Sequence, residues 1–516
     1  MAFYLVVSNF KAAYDALSSS NKTKVNPTLT NLGLDLSNGL SVAELGILGD
    51  PAKGILYNDQ GTPRDPVQYF QNIINGQDFN TAVTGYLNAY NALSSSDKTK
   101  VNGILLIFGL NLADGISDAE RAILGSATLG ILYDANGLLR DPALSMAFYL
   151  VVSNFKAAYD ALSGSNKSAA DLTLASLGLS LQTLDATDLN VLGDPTKRIL
   201  YDEQGAPRDS VQTFSVYVKT GLLIGSLQSN ASFVSAFNLL FGANVPTSGI
   251  LPSASLQILF DLTGNSAYVQ ADFLAALPKA ASLHGALTAS LRLNFEKLFG
   301  IPVVNQVTSN AVYRKALFDI SGEAGYSQTS FLNVLPGAAS LYSVLQGNSS
   351  RRQSANLLFG TSFQSTGDLA AANRSVLFDI AGGPGYQESD FLPALDRTAS
   401  LYQALQQNSS LRADFNLIFG STVAGSGTPS VTDRTRLFNT AGDPNFNLGA
   451  FSTVLPKAAG LYRALQTNVS KLFSFNSRFG TNLPAVGSPT SGPDIGKLFD
   501  ITGDPNFNLN AFLESL

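Results

Sequence analysis

The stretch FLPALDRTASLYQALQQNSSLRADFNLIFG, residues 391–420, decides the fold of this chain. Its apolar side chains recur at the spacing of one helix face, and the pattern breaks once, at QQNSS. A polar loop and DRTRLFNTAG, residues 433–442, follow. We interpret this as two main helices and a short third, each closed by a glycine. The first turn of the first helix is predicted to hold a proline, which is Pro393 here and Pro278, Pro336 and Pro456 in similar stretches.

Two markers of this pattern occur eight times along the chain. The first is a leucine–aromatic pair followed by Asx and a glycine, with the aromatic residue at Tyr57, Tyr133, Tyr201, Phe260, Phe318, Phe378, Phe438 and Phe499. We interpret this element as an Asx turn with a positive-φ glycine. The second marker is a Leu–Gly or Phe–Gly pair, with the glycine at Gly33, Gly109, Gly178, Gly242, Gly300, Gly360, Gly420 and Gly480.

The spacing of the second marker separates two classes of repeat. From Gly300 onward it recurs every 60 residues, whereas the first two intervals are 76 and 69 residues. We therefore predict three long repeats over residues 1–222 and five shorter repeats over residues 223–516, which end in a half-repeat. Because a helical unit of this size cannot bury its apolar face alone, it must stack on its neighbours. The expected fold is all-α, with eight tandem helical repeats of about 60–76 residues forming an α-solenoid or a closed α/α ring.

Composition excludes several classes of function. Apolar residues make up 45% of the 516 residues and charged residues only 14%, and the net charge of −6 comes without any cationic run. Such a chain lacks the electrostatic footprint of a nucleic-acid-binding protein. There is no cysteine and only one histidine, His284, which rules out disulfides and the HExxH site with its two histidines. We find no catalytic constellation and expect a protein that is not an enzyme.

His284 itself occupies a position where other repeats carry tyrosine, so we interpret it as a packing residue with a polar tip. The longest apolar runs fall well short of the roughly 18 residues of a membrane-spanning helix, so no transmembrane segment is expected.

Seven N-x-S/T motifs make glycosylation candidates: Asn21, Asn166, Asn230, Asn348, Asn373, Asn408 and Asn468. All except Asn373 lie at the break between two helices, where other repeats place Asp97 and Ser290. Asn, Asp and Ser share the ability to cap a helix N-terminus, so we favour an N-cap role, which does not exclude a glycan.

The sequence GDPNFN occurs twice and offers alternating oxygen ligands for calcium, at Asp443, Asn445 and Asn447 and at Asp504, Asn506 and Asn508. The glycine and the glutamate expected later in an EF-hand loop are replaced by Leu509 and Ser515. We therefore favour a turn that caps the next helix over a calcium site, and we expect no other cofactor.

The first eighteen residues, MAFYLVVSNFKAAYDALS, return letter for letter at residues 146–163, inside the repeat pattern. The last residues, GDPNFNLNAFLESL, form the opposite half of a repeat. The two ends are thus predicted to be complementary, with an assembly interface formed by Met1, Phe3, Tyr4, Val7, Phe10, Phe507, Phe512, Leu513 and Leu516. They meet between molecules in a filament or within one molecule in a ring, and they are covalently continued if the chain is a segment of a longer repeat chain.

We expect a structural protein that polymerises head to tail with copies of itself into an extracellular filament, sheath or surface layer. The alternative is a surface or scaffold binding module that holds a glycan or a peptide on the concave face of the solenoid.

Overall fold

A computed structural model describes residues 2–58, 60–126, 128–134, 137–305 and 307–516. The fold is all-α, as predicted, and these residues contain no β-strand. The helices are α1 Ala2–Asp15, α2 Ser19–Asn31, α3 Val42–Gly49, α4 Pro66–Asn91, α5 Ser95–Leu105, α6 Asp118–Leu124, α7 Pro142–Asp160, α8 Gly164–Leu177, α9 Ala186–Gly193, α10 Ser210–Gln228, α11 Ala231–Phe241, α12 Ser253–Thr263, α13 Gln270–Ala286, α14 Ala289–Phe299, α15 Ala311–Ser321, α16 Gln328–Gly347, α17 Ser349–Phe359, α18 Ala371–Ala381, α19 Glu388–Gln407, α20 Ser409–Phe419, α21 Val431–Ala441, α22 Leu448–Gln466, α23 Val469–Phe479, α24 Gly492–Thr502 and α25 Leu509–Ser515.

The chain divides into two compact units. The first contains Met1–Val234 and Asn244–Gln270, and the second contains Ser235–Ala243 and Ala271–Leu516. The predicted boundary between residues 222 and 223 separates long repeats from short ones, whereas the compact units are defined by contacts within each unit. That boundary therefore stays a prediction.

In the first compact unit, three similar loops lead into the long helices α4, α7 and α10. Each loop carries one isolated antiparallel bridge, such as that between Tyr57 and Pro63. Each also ends in an aspartate that caps the following helix, at Asp65, Asp141 and Asp209. Apolar side chains just before each loop, such as Ile55 and Leu56, are buried in the core. The loops therefore fix where each long helix starts.

In the second compact unit, the same aromatic contacts recur at intervals of 58 to 61 residues. Phe331 of α16 and Phe378 of α18 stack with ring centroids 5.3 Å apart and planes at 13°, and Phe299 of α14 lies 6.3 and 6.4 Å from them. We call such a set an aromatic trio. Equivalent trios are formed by Phe241, Phe273 and Phe318, by Phe359, Phe391 and Phe438, and by Phe419, Phe451 and Phe499. Each trio joins the end of one helix pair to two helices of the next group.

Several local predictions are confirmed and others are wrong. The glycines of the Leu–Gly and Phe–Gly pairs end their helices with left-handed backbone angles, as Gly420 does with φ 60°. The marker around Phe378 is not a turn, however, because its residues complete helix α18 and Gly382 has φ −85°. The other short repeats behave in the same way. The turn prediction holds in the long repeats, where the Asn58 side chain accepts hydrogen bonds from the backbone of Gln60 and Thr62.

The proline prediction is wrong. Pro278, Pro336, Pro393 and Pro456 lie inside α13, α16, α19 and α22 and not in their first turns. The helices begin earlier than the apolar pattern indicates, because a polar residue such as Ser327 or Asn447 caps them upstream. The third helix of the short repeats is also as long as the second, at 11 residues in both α17 and α18.

Candidate assembly surfaces

The sequence MAFYLVVSNFKAAYDALS occurs in two environments, which makes the chain its own control. In the second copy, α7 packs against α4 and α5, which precede it in the chain, and against α9 and α10, which follow it. Tyr149 is only 5% exposed there, beside Tyr86 of α4, and burial raises the pKa of both phenols. Lys100 of α5 donates a hydrogen bond to Asn154 of α7 over 3.3 Å.

In the first copy, α1 packs against α3 and α4, which correspond to α9 and α10. Nothing in the described chain takes the place that α4 and α5 have against α7. Tyr4 is consequently 66% exposed and Leu5 64% exposed, although Leu150, the counterpart of Leu5, is half-buried. We call the exposed residues Tyr4, Leu5 and Ser8 the α1 face. Its exposure follows from its surroundings alone, since the residues are identical.

The other residues predicted for this interface lie elsewhere. Val7 and Phe10 are buried in the core of the first compact unit, where the Phe10 ring lies 4.7 Å from that of Phe70. Phe3 is half-buried and packs against the same core, close to Gly49. Met1 lies outside the described residues. Of the predicted set on α1, Tyr4 is therefore the residue that another molecule can reach, and Leu5 is one that the sequence interpretation missed.

At the other end of the sequence, the predicted residues are half-buried. The Phe512 ring of α25 packs against Phe475 and Phe479 of α23, and the Phe507 ring lies 5.7 Å from Phe512. Leu513 and Leu516 are also half-buried. These side chains hold α25 against α23 and offer little apolar surface.

Two cations of α23 contact the end of α25, and one of them, Arg478, stands where the aligned helices have a buried apolar residue. Helices α14, α17 and α20 carry a fully buried Leu298, Leu358 or Ile418 two residues before their closing glycine, whereas α23 carries the exposed Arg478. The Arg478 guanidinium donates to the Ser515 carbonyl over 3.0 Å, and the Lys471 ammonium donates to the Leu513 carbonyl. Both carbonyls lie in the last turn of α25, where backbone acceptors lack helical partners and cations are favourable.

The outward face of α23 carries a second exposed apolar pair. Val469 is 69% exposed and Phe473 is 75% exposed. The aligned positions are also exposed in α17 and α20, where they hold Ser349 and Gln353 in one helix and Ser409 and Ala413 in the other. In α14 the position of Phe473 holds Leu293, which is 68% exposed. We call Val469 and Phe473 the α23 pair. A comparison of aligned repeats in the sequence contains this signal, which our reading of hydrophobic spacing did not use.

The N-cap interpretation of the N-x-S/T motifs is confirmed for Asn348, Asn408 and Asn468, whose side chains accept hydrogen bonds from the third residue of the next helix over 3.0–3.1 Å. Asn230 accepts from Ser232 over 2.9 Å. The interpretation is wrong for Asn21 and Asn166, because Ser18 and Ser163 cap those helices.

Asn373 differs from the other candidates. It lies inside α18 with 6% exposure, and its side-chain nitrogen donates to the Ser362 hydroxyl over 3.3 Å. That nitrogen is the atom to which a glycan would be attached, so the folded chain does not present it.

Four of the six side chains proposed for calcium accept hydrogen bonds from the backbone. Asp443 and Asp504 accept hydrogen bonds from the residues two positions on, each over 2.8 Å. Asn447 and Asn508 cap α22 and α25. The capping-turn interpretation is thereby confirmed. Across the residues that the structure describes, no group of three or more acidic or histidine side chains is placed to hold a metal.

His284 is a packing residue, as interpreted from the sequence. It is 7% exposed on α13, and its Nδ1 lies 3.0 Å from the Tyr313 hydroxyl. Burial, with a further contribution from the Arg292 charge, lowers the pKa of His284 below its ordinary value of 6.5.

A groove of about 500 Å³ runs between α15 and α18. Its lining includes the stacked rings of Phe331 and Phe378, the Arg374 side chain and the carboxylate of Glu323. Tyr326 also lines it, and its hydroxyl is buried without a hydrogen-bond partner. The groove thus combines an aromatic surface with polar groups of both charges.

Comparison with known protein families, with curated proteins and with solved structures finds no match for this chain. Among the helices in the described ranges, none has the length and hydrophobicity needed to cross a bilayer.

Proposed function

We propose that this chain is a structural protein that assembles with copies of itself. In this proposal the helical repeats stack as an α-solenoid, and copies join head to tail into an extracellular filament, sheath or surface layer. The observation that carries the proposal is the exposed α1 face, whose counterparts in α7, which packs against α4 and α5, are buried at Tyr149 and half-buried at Leu150. Exposed apolar patches of this kind are typical of surfaces that bind another protein.

The proposed partner of the α1 face is the α23 pair of a second copy. These surfaces differ from each other, so their contact is heterologous, and such contacts generate open polymers unless the rotation closes a ring. Lys471 and Arg478 are occupied by the carbonyls of α25. The contact therefore uses the outward side of α23 and does not rebuild the missing half of a repeat.

Sedimentation velocity and negative-stain microscopy test self-assembly directly. We expect the unmodified chain to form polymers that grow with concentration, and the Tyr4→Ser/Leu5→Ser variant to stay monomeric. Val42→Ser is the matched control, since Val42 is 87% exposed in the same compact unit and lies outside the α1 face. An unmodified protein that remains monomeric at high concentration contradicts the proposal.

A mixing experiment tests the head-to-tail arrangement. We expect Phe473→Ser to be monomeric alone, and its mixture with Tyr4→Ser/Leu5→Ser to form dimers that grow no further, because each variant keeps one intact surface. Val431→Ser, at a 70% exposed position of α21, serves as control. If Phe473→Ser assembles like the unmodified chain, the α23 pair is not the partner, and a contact between two α1 faces explains the assembly instead.

The groove between α15 and α18 supports a second candidate function, a binding module for a glycan or a peptide. Aromatic surfaces flanked by charged groups stack on sugar rings and bind polar substituents. Mass spectrometry of material released from the purified protein tests this candidate, together with a Phe331→Ala variant that should lose the ligand. A ligand retained equally by that variant does not bind in this groove.

A further inference from the structure

Arg198 has a left-handed backbone conformation, and the equivalent positions in the first two repeats hold glycine. It precedes Ile199 and Leu200, just as Gly54 and Gly130 precede the same residues in the first two repeats. The three φ angles are 50°, 58° and 60°. Across the described ranges, Arg198 is the one non-glycine residue in the left-handed region. A side chain there strains the backbone, and such strain clusters at binding sites.

Arg198 lies on the rim of a groove of about 890 Å³ in the first compact unit. Lys197 and Arg208 line the same groove, and Arg208 is held in place because its Nε donates to the Tyr201 carbonyl over 3.1 Å. The rings of Tyr217 and Phe260, stacked with centroids 5.3 Å apart, form part of the wall. Three cations therefore line the same groove as an apolar surface, and the Lys197 ammonium donates to the Leu177 carbonyl over 3.4 Å.

Two carboxylates also line the groove, Glu203 and Asp261. Glu203 forms an ion pair with Arg198, and both side chains are more than half exposed. Exposed pairs of this kind contribute little to stability, so a bound anion can replace the Glu203 carboxylate.

The corresponding groove of the second repeat has the opposite charge balance. It measures about 470 Å³ and contains Leu129 and Gly130 where the third repeat has Lys197 and Arg198. Its charged lining consists of one cation, Arg140, and three carboxylates, those of Asp134, Asp141 and Asp194. The third repeat thus differs from its neighbour by two added cations at equivalent positions.

We propose that the groove around Arg198 binds an oxyanion group, such as a carboxylate, a phosphate or a sulfate carried by a small ligand. Arg198 and Arg208 present planar guanidinium groups, which bind such groups through paired hydrogen bonds, and Lys197 adds a third charge. The site is independent of the α1 face and of the α23 pair, so it holds whether or not the chain self-assembles.

The test uses the full chain and three probes: sodium acetate, sodium phosphate and sodium sulfate, each compared with sodium chloride at equal ionic strength. Isothermal titration and thermal melting are measured for the unmodified protein, Arg198→Gly and Glu203→Gln. Arg198→Gly restores the residue found at Gly54 and Gly130, so it folds without strain. We expect it to bind the preferred anion at least tenfold more weakly, and Glu203→Gln to bind it more tightly.

The comparison between variants separates specific binding from general salt effects. A melting temperature that rises equally with sulfate or phosphate in the unmodified protein and in Arg198→Gly refutes the proposal, as does equal affinity by titration. Binding of acetate alone identifies a carboxylate ligand, whereas binding of phosphate or sulfate identifies a tetrahedral anion. Lys197→Leu should weaken binding while Lys53→Leu, at the equivalent position of the first repeat, should leave it unchanged.

Discussion

Removal of the same tyrosine from the two copies of the eighteen-residue sequence should destabilise the chain strongly in α7 and hardly at all in α1. Tyr149 is 5% exposed and Tyr4 is 66% exposed, within the same eighteen-residue sequence. An aromatic side chain buries about 200 Å² when fully covered, so the two tyrosines differ by about 120 Å² of buried surface. At about 25 cal/mol per Å², that difference corresponds to about 3 kcal/mol of unfolding free energy.

We therefore expect Tyr149→Ala to lower the unfolding free energy of its region by about 3 kcal/mol, and Tyr4→Ala to change it by less than about 0.5 kcal/mol in the monomer. Because the chain has two compact units, a single transition is not assured. Urea unfolding followed by circular dichroism should be combined with amide hydrogen exchange, which measures α1 and α7 separately. Equal losses for the two variants at monomeric concentration would refute the reasoning, since they would mean that Tyr4 is covered within the chain.

Three further predictions concern single side chains. Asn408→Ala should destabilise the chain by about 1 kcal/mol, because it removes a cap, whereas Asn21→Ala should be nearly neutral in chemical denaturation, because Ser18 caps that helix. Because the pKa of His284 is lowered in the folded chain, the unfolded chain takes up a proton more readily. The stabilising effect of neutral His284 is therefore complete above pH 6.5 and is lost as the pH falls through the folded-state pKa. His284→Tyr should flatten the dependence of melting temperature on pH below 6.5, and an unchanged slope contradicts this prediction. Arg478→Met should speed amide exchange in α25 several-fold while leaving α22 unaffected, and identical exchange rates would show that the carbonyl contact is not stabilising.

In the second compact unit, the break between the two main helices follows well from the sequence, because there the apolar spacing and the capping residue agree. Asn408 shows this agreement, as it ends one helix pattern and caps the next. The sequence interpretation and the structure disagree where two residues that could cap the same helix lie close together. At Asn21 the sequence offers both asparagine and Ser18, and backbone geometry selects the serine. The residues around Phe378 were misread as a turn because an aspartate and a glycine also fit a helix end, where the glycine closes the last turn.

The candidate surfaces are harder to predict from the sequence than the helices are. Tyr4 and Tyr149 have identical neighbours in the sequence, so their different exposure depends on the helices packed against them. Arg198 carries a signal in the sequence, since an arginine stands where two equivalent repeats have glycine, but its meaning requires the backbone angle. Arg478 could have been noticed by alignment with Ile418, whereas its hydrogen bond to the Ser515 carbonyl depends on how α25 ends against α23.

The aromatic trios have a mechanical consequence. Each trio joins one group of helices to the next, so a pulling force applied across the second compact unit passes through them one after another. The stacked pairs have nearly the same geometry, with centroids 5.3–6.0 Å apart and planes within 11–14° of parallel. Joints in series all bear the same force. Because the stacked pairs have similar geometry, the chain should extend in steps of similar size instead of breaking at one weak place.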